Sequence, residues 1–261
     1  LENHAADYVN ETSIDYSVMS ALSILGVEEE YVTDEQVQAY VDGLTLTTGN
    51  DYFKAITILE AAGLDATTLY QELNTIAAVG GFGATGYQLT AFSSNGTTVD
   101  YSTFENAALT DLSNNTPLSL GVNSGAISVI ALSSYLEEDG VPALISEWVS
   151  YIKTNQLDTG AVTDIDFGWG QTEDASTMSQ AVLGLIAVGV NPKGNDQTGT
   201  DMTQLNYNLI SELLTYQTET GSFNWTNTED LLFSTPQAFL AIVSYQEFSN
   251  NYSPVNPYSF Q

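Results

Sequence analysis

The chain has 261 residues, 33 of them Asp or Glu against three Lys and no Arg, giving a formal net charge of −30 with 43% hydrophobic residues. That length and apolar content suit one large domain with a sizeable core. The missing bases exclude phosphate-led binding of DNA or RNA and disfavour an anionic membrane surface. Cysteine is absent, which removes disulfides, Cys–zinc sites, thioesters and Cys nucleophiles.

Apolar residues recur mostly at helical spacing. In chain order the spacing predicts helices over 14–25, 34–44, 52–62, 68–77, 86–92, 104–112, 124–135, 143–154, 177–188, 203–216 and 235–245. No apolar run reaches the roughly 18 residues of a spanning helix, so no membrane insertion is expected within this segment. A single domain is expected over 1–248. The tail 249–261 contains Pro254 and Pro257 and reads as an extended strap or a linker.

The helices are of two kinds. AITILEAAGL from Ala55, AISVIALSSY from Ala126, AVLGLIAVGV from Ala181 and AFLAIVSYQE from Ala238 are small and apolar nearly all round. DEQVQAYVDGL from Asp34, ISEWVSYIKTNQ from Ile145 and QLNYNLISELLTYQ from Gln204 are amphipathic. A helix apolar on every side is surrounded by protein, whereas an amphipathic one faces solvent. Alternation of the two predicts inner helices ringed by outer ones.

A phrase also repeats: FGWGQTED from Phe167 returns as FNWTNTED from Phe223. Each copy follows a Gln-x-x-x-Gly, at Gln156–Gly160 and Gln217–Gly221, and precedes an apolar helix. Those helices open with Thr177-x-x-Gln180 and Ser234-x-x-Gln237, and Thr85-x-x-Gln88 is a third instance. All three have capping-box spacing. The unit is an outer helix, a Gly-aromatic loop and an inner helix.

YQTETGSFNW from Tyr216, NQLDTGAV from Asn155 followed by FGWG, and GGFGATGYQLTAF from Gly80 resemble the repeat of the prenyltransferase and squalene-cyclase superfamily. The pattern covers residues 50–248, best in its two C-terminal copies. The resemblance implies an all-α fold, an α/α toroid of five to six helical hairpins in inner and outer rings around a central pocket. Members include protein prenyltransferases, terpene cyclases, thioester domains, cobalamin carriers and bacterial surface domains. The family's zinc set of Asp, Cys and His cannot be assembled without Cys. Asp164-Ile165-Asp166-Phe167 falls one carboxylate short of the cyclase acid motif. Three Lys without Arg make diphosphate handling improbable.

The repeated phrase admits two readings. In one, its aromatics fill wedges between hairpins and its carboxylates complement helix dipoles. In the other, Phe82, Tyr87, Trp169 and Trp225 form an aromatic rim, with Glu173, Asp174, Glu229 and Asp230 as acceptors. Such a rim would suit a glycan, a corrinoid-like ring or a cationic peptide. Asp164, Asp166, Glu173 and Asp174 could hold calcium but read rather as a solvated acidic loop. The linker 191–201 reads as a loop, and His4 has no evident partner. No catalytic residue, metal or cofactor is assigned. The expectation is a non-catalytic, secreted or cell-wall-associated domain that binds a small molecule, glycan or surface protein, its signal and anchor lying outside this segment. Alternatives are a carbohydrate-active hydrolase or lyase, or a terpenoid-type cyclase, using carboxylates in the central cavity, and a cobalamin-carrier-like helical domain.

Overall fold

The computed structural model describes residues 4–78, 84–168 and 170–260. Among them the fold is mostly helical: α1 (Ala5–Tyr8), α2 (Tyr16–Leu25), α3 (Asp34–Asp42), α4 (Gly49–Ala61), α5 (Thr67–Leu73), α6 (Ala84–Ser94), α7 (Ser102–Asn114), α8 (Gly121–Leu132), α9 (Val141–Asn155), α10 (Ala175–Ala187), α11 (Leu209–Leu214) and α12 (Ser234–Asn251). The described strands are a two-residue hairpin, β1 (Val9–Asn10) against β2 (Ser13–Ile14).

The two kinds of helix separate by burial. Every residue from Thr177 to Ala187 in α10 is buried, as is every residue from Gly125 to Leu132 in α8. By contrast α3 buries only Val37 and Val41, and α7 only Phe104, Ala108 and Leu112, a single stripe four residues apart. Six helices pack on one another in sequence: α2 on α4, α4 on α6, α6 on α8, α8 on α10 and α10 on α12. Helix α12 packs back on α2, so the circuit closes. Outside it α3 packs on α4, α5 on α4 and α6, α7 on α6, α9 on α8, and α11 on α10.

Trp148 of α9, fully buried, is the wedge that joins two circuit helices. A Cβ at Gly184 of α10 would lie 2.6 Å from its ring, and one at Gly125 of α8 would lie 3.1 Å from its Nε1. The indole donates to the Gly121 carbonyl at 3.3 Å, which satisfies its one polar group. The stretch Leu118–Tyr135 around α8 has a mean hydropathy of 1.3 and the length of a spanning helix. Its apolarity is used between α6 and α10, where Ala126, Val129 and Ile130 are wholly buried.

The Gln-x-x-x-Gly turns have a physical basis. Gln156 Nε2 donates to the Gly160 carbonyl at 3.0 Å, and Gln217 Nε2 to the Gly221 carbonyl at 3.4 Å. Both glycines take positive φ, 104° and 98°, a region side chains disfavour. Gln156 also clamps Tyr207, accepting from its N–H at 2.9 Å.

Helices α11 and α12 depart from their expected bounds. Helix α11 is much shorter than 203–216, because residues 203–205 instead pair with Asn191 and place the Gln204 carbonyl on Lys153. The Lys153 ammonium, itself buried, also holds Asp196 at 2.9 Å and the Asp201 carbonyl. Helix α12 runs on to Asn251 and ends at Tyr252 with φ 56°. The tail beyond it packs as a strap across the ends of α10 and α6. Val255 N–H donates to the Ile186 carbonyl, and Asn95 clamps the Tyr258 carbonyl and the Phe260 N–H, each at 2.9–3.0 Å. Tyr258 is buried with its ring 5.0 Å from Phe53 and 6.3 Å from Tyr16.

Candidate functional site

Carboxylates accept backbone N–H groups at the N-terminal ends of α2, α10 and α12. Asp15 accepts from the N–H groups of Ser17 and Val18 at the start of α2, and Asp174 from that of Thr177 at the start of α10. Asp230 accepts from the N–H groups of Leu232, Phe233 and Ser234 and from the Ser234 hydroxyl. These replace the capping boxes expected at Thr177 and Ser234: a carboxylate three or four residues upstream takes the donors first. Thr85 is engaged elsewhere, donating to Asp111 at 2.5 Å. Capping boxes do form at Thr33 with Gln36 and at Thr48 with Asp51.

The same logic divides the acidic cluster around residue 166. Asp164 accepts from Val122 N–H at the start of α8, Asp166 from Gly168 and Gly170, and Asp174 caps α10. Among the described residues, no group of three His, Asp or Glu side chains converges as a metal site. His4 does have partners, Asp7 at 3.1 Å and the Thr220 carbonyl at 3.0 Å.

Of the residues singled out by the sequence, Phe82 and Trp169 lie outside the described residues. Trp225, Glu229 and Asp230 line one shallow cavity of about 400 Å³ together with Ser176 and Phe233. Trp225 is 50% exposed, so it stands at a rim and fills no wedge. Its carbonyl accepts from Ala175 N–H, which joins the second copy of the phrase to the first. Burial pushes the Asp174 carboxyl up despite the donors from Thr177. Glu229 is exposed and accepts from the Ser222 hydroxyl. Glu173 is exposed, lines none of the cavities described here, and bridges Thr163 through its backbone.

Tyr87 belongs to a deeper place. A cavity of about 500 Å³ is lined by Asp15, Tyr16, Asn50, Lys54, Tyr87 and Phe233, among others. A neighbouring one of about 550 Å³ is lined by Tyr8, Tyr40, Leu44, Leu46, Asp51 and Leu231. Asp15, Tyr16, Lys54 and Leu232 line both, so the two are contiguous. Below them lies an aromatic cluster: Phe53 lies 5.6 Å from Tyr16 and 4.9 Å from Tyr87, with Tyr258 beneath. Burial drives the phenols of Tyr16 and Tyr258 well above their ordinary value and that of Tyr87 up. These tyrosines remain neutral hydrogen-bonding groups at any physiological pH.

Above the cavities, Leu232 and Phe233 are 77% and 64% exposed. A polar belt continues around the helix ends, from Asn123 of α8 to Ser176 of α10 at 3.2 Å and from Ser176 to Gln237 of α12 at 2.5 Å. The sequence reading missed Asp15, Tyr16, Asn50, Lys54, Leu232, Phe233 and Gln237. Two signals pointed there: Lys54 is one of only three cations, and Leu231-Leu232-Phe233 is an apolar run inside an Asn- and Thr-rich loop. Compared with protein-family models, with curated proteins and with solved structures, the chain matches none.

Proposed function

We propose that this chain is a non-catalytic binding domain that takes its ligand at the mouth formed by the N-terminal ends of α2, α4, α6 and α12. The observation that carries this reading is the pair of contiguous cavities under exposed Leu232 and Phe233. A cavity of several hundred cubic ångströms with mixed apolar walls and a few convergent polar groups is the usual form of a ligand site. The non-catalytic part rests on how the carboxylates are used. Asp15, Asp51, Asp174 and Asp230 each accept backbone N–H groups, so the acids nearest the mouth act as helix caps, not as a facing acid/base pair.

The architecture behind this reading is an α/α toroid of the prenyltransferase-like repeat superfamily. Helices α2, α4, α6, α8, α10 and α12 form its inner ring, and α3, α5, α7, α9 and α11 its outer ring. Closure of the contact circuit from α12 to α2 supports it. An extracellular or wall-associated setting, with no membrane insertion within this segment, fits the basic-poor composition. A thermal-shift screen over glycans, corrinoids and Ca²⁺ tests the function. A ligand that raises the melting temperature of the native chain should lose its effect in Leu232→Asp. A ligand equally effective on that variant, or turnover of any screened glycan, would overturn the reading.

A further inference from the structure

We infer that the mouth accepts an organic cation on an apolar body, a primary ammonium carried by an alkyl or peptide chain; this rests on the mouth being the binding site. Three carboxylates, Asp7, Asp15 and Asp51, line the larger cavity, where Lys54 is the one basic residue among the described lining and Asp7 also pairs with His4. An anion entering to meet Lys54 would meet all three. Apolar wall comes from Leu44, Leu46 and Ile58 below and Leu231 at the rim, beside Ser13, Thr45 and the tyrosines Tyr8, Tyr16 and Tyr40. The leucines and the isoleucine suit a hydrocarbon chain.

Two further features favour a donor over an acceptor. The Lys54 ammonium already sits 5.6 Å from the centre of the Tyr16 ring, so that face holds a cation in the empty site. Asn50 Oδ1, in the adjoining cavity, is buried with no hydrogen-bond partner among the described residues; an ammonium N–H would satisfy it. A net charge of −30 without arginine adds a long-range field that concentrates cations at the whole surface. Lys54 itself is exposed.

The test is titration calorimetry on the full chain with octylammonium, octan-1-ol and octanoate, which share a body and differ in head charge. Octylammonium should bind at least about tenfold more tightly than octanoate, and added salt should weaken it. Lys54→Met, at an exposed position that should not disturb folding, should tighten octylammonium about three- to tenfold by removing the opposing charge. Octanoate binding as tightly as octylammonium, or Lys54→Met weakening the cation, would overturn the proposal. A Lys–Leu heptapeptide run alongside separates the sources: tighter binding than octylammonium supports a peptide ammonium, weaker binding a free amine. If a neutral ligand binds at the mouth and octylammonium does not, the cation class fails while the mouth stands. If octylammonium binds Leu232→Asn, which removes the apolar contact without adding charge, undiminished, the mouth itself fails.

Discussion

Phe167 and Phe223 occupy the same place in the two copies of one phrase, yet Phe167 is 56% exposed and Phe223 is fully buried. The reason is local. After Phe167 come Gly168 and Gly170, both at positive φ, whose N–H groups gather on Asp166. After Phe223 the chain instead folds tightly back, Asn224 pairing with Glu229, and Phe223 packs edge-on against Phe239. What the copies share is their last residue, the carboxylate that starts the next helix. The repetition therefore preserves a helix entry, while the aromatic positions are free to diverge between core and rim.

The largest effects should separate the aromatics. Phe223→Ala should lose about 3–5 kcal/mol in urea unfolding, while Phe167→Ala should stay within about 0.5 kcal/mol of the native chain. Equal losses would break the comparison. The tryptophans should divide likewise: Trp148→Ala should lose about 3–5 kcal/mol as a true wedge. Trp225→Ala, at a half-exposed position, should lose no more than about 1 kcal/mol.

The next effect should unite the copies. Asp174→Ala and Asp230→Ala should each lose about 0.5–2 kcal/mol as helix caps, and the Asn replacements much less. A cap effect in only one copy would mean that the shared carboxylate is not what the repetition preserves.

The smallest effect is on pH. Burial holds Asp15 and Asp174 above the usual carboxylate range. Their ionised forms therefore oppose folding at neutral pH, and stability is regained as pH falls through those raised values. At Asp51 and Asp230 burial alone would raise the carboxyl, but donors led by Thr48 and Ser234 outweigh it and hold both low. Hydrogen bonds from Thr198 and Lys153 hold Asp196 lower still. Stability from these three is present above the ordinary carboxylate value and is lost as pH falls below about 4. Melting temperature should hold or rise from about pH 7 to 5 and drop below about pH 4; a steep fall between 7 and 5 would contradict these assignments.

Most of the helices were legible because their period is local. The apolar runs from Ala126 and Ala181 could only be surrounded by protein, and α8 and α10 are. The shortened α11 was not legible, since what stops it is Lys153, some fifty residues away in sequence. The candidate site was half legible. Trp225, Glu229 and Asp230 do meet, but Glu173 stands apart, and the deeper cavities join Tyr16 and Lys54 to Leu232 from the far end of the chain. Such long-range meetings leave no periodic trace.

Contact between α12 and α2 has a kinetic meaning. An open solenoid can shed a terminal repeat and keep the rest, because each unit leans only on its neighbours. Here the last helix packs on α2, so deleting either end strips an interface from the other. The contact also spans nearly the whole sequence, and its loop-closure entropy must be met before its packing is gained. Folding should therefore be slow for a mostly helical chain, with the α12–α2 contact as its late step, and unfolding should be all-or-none.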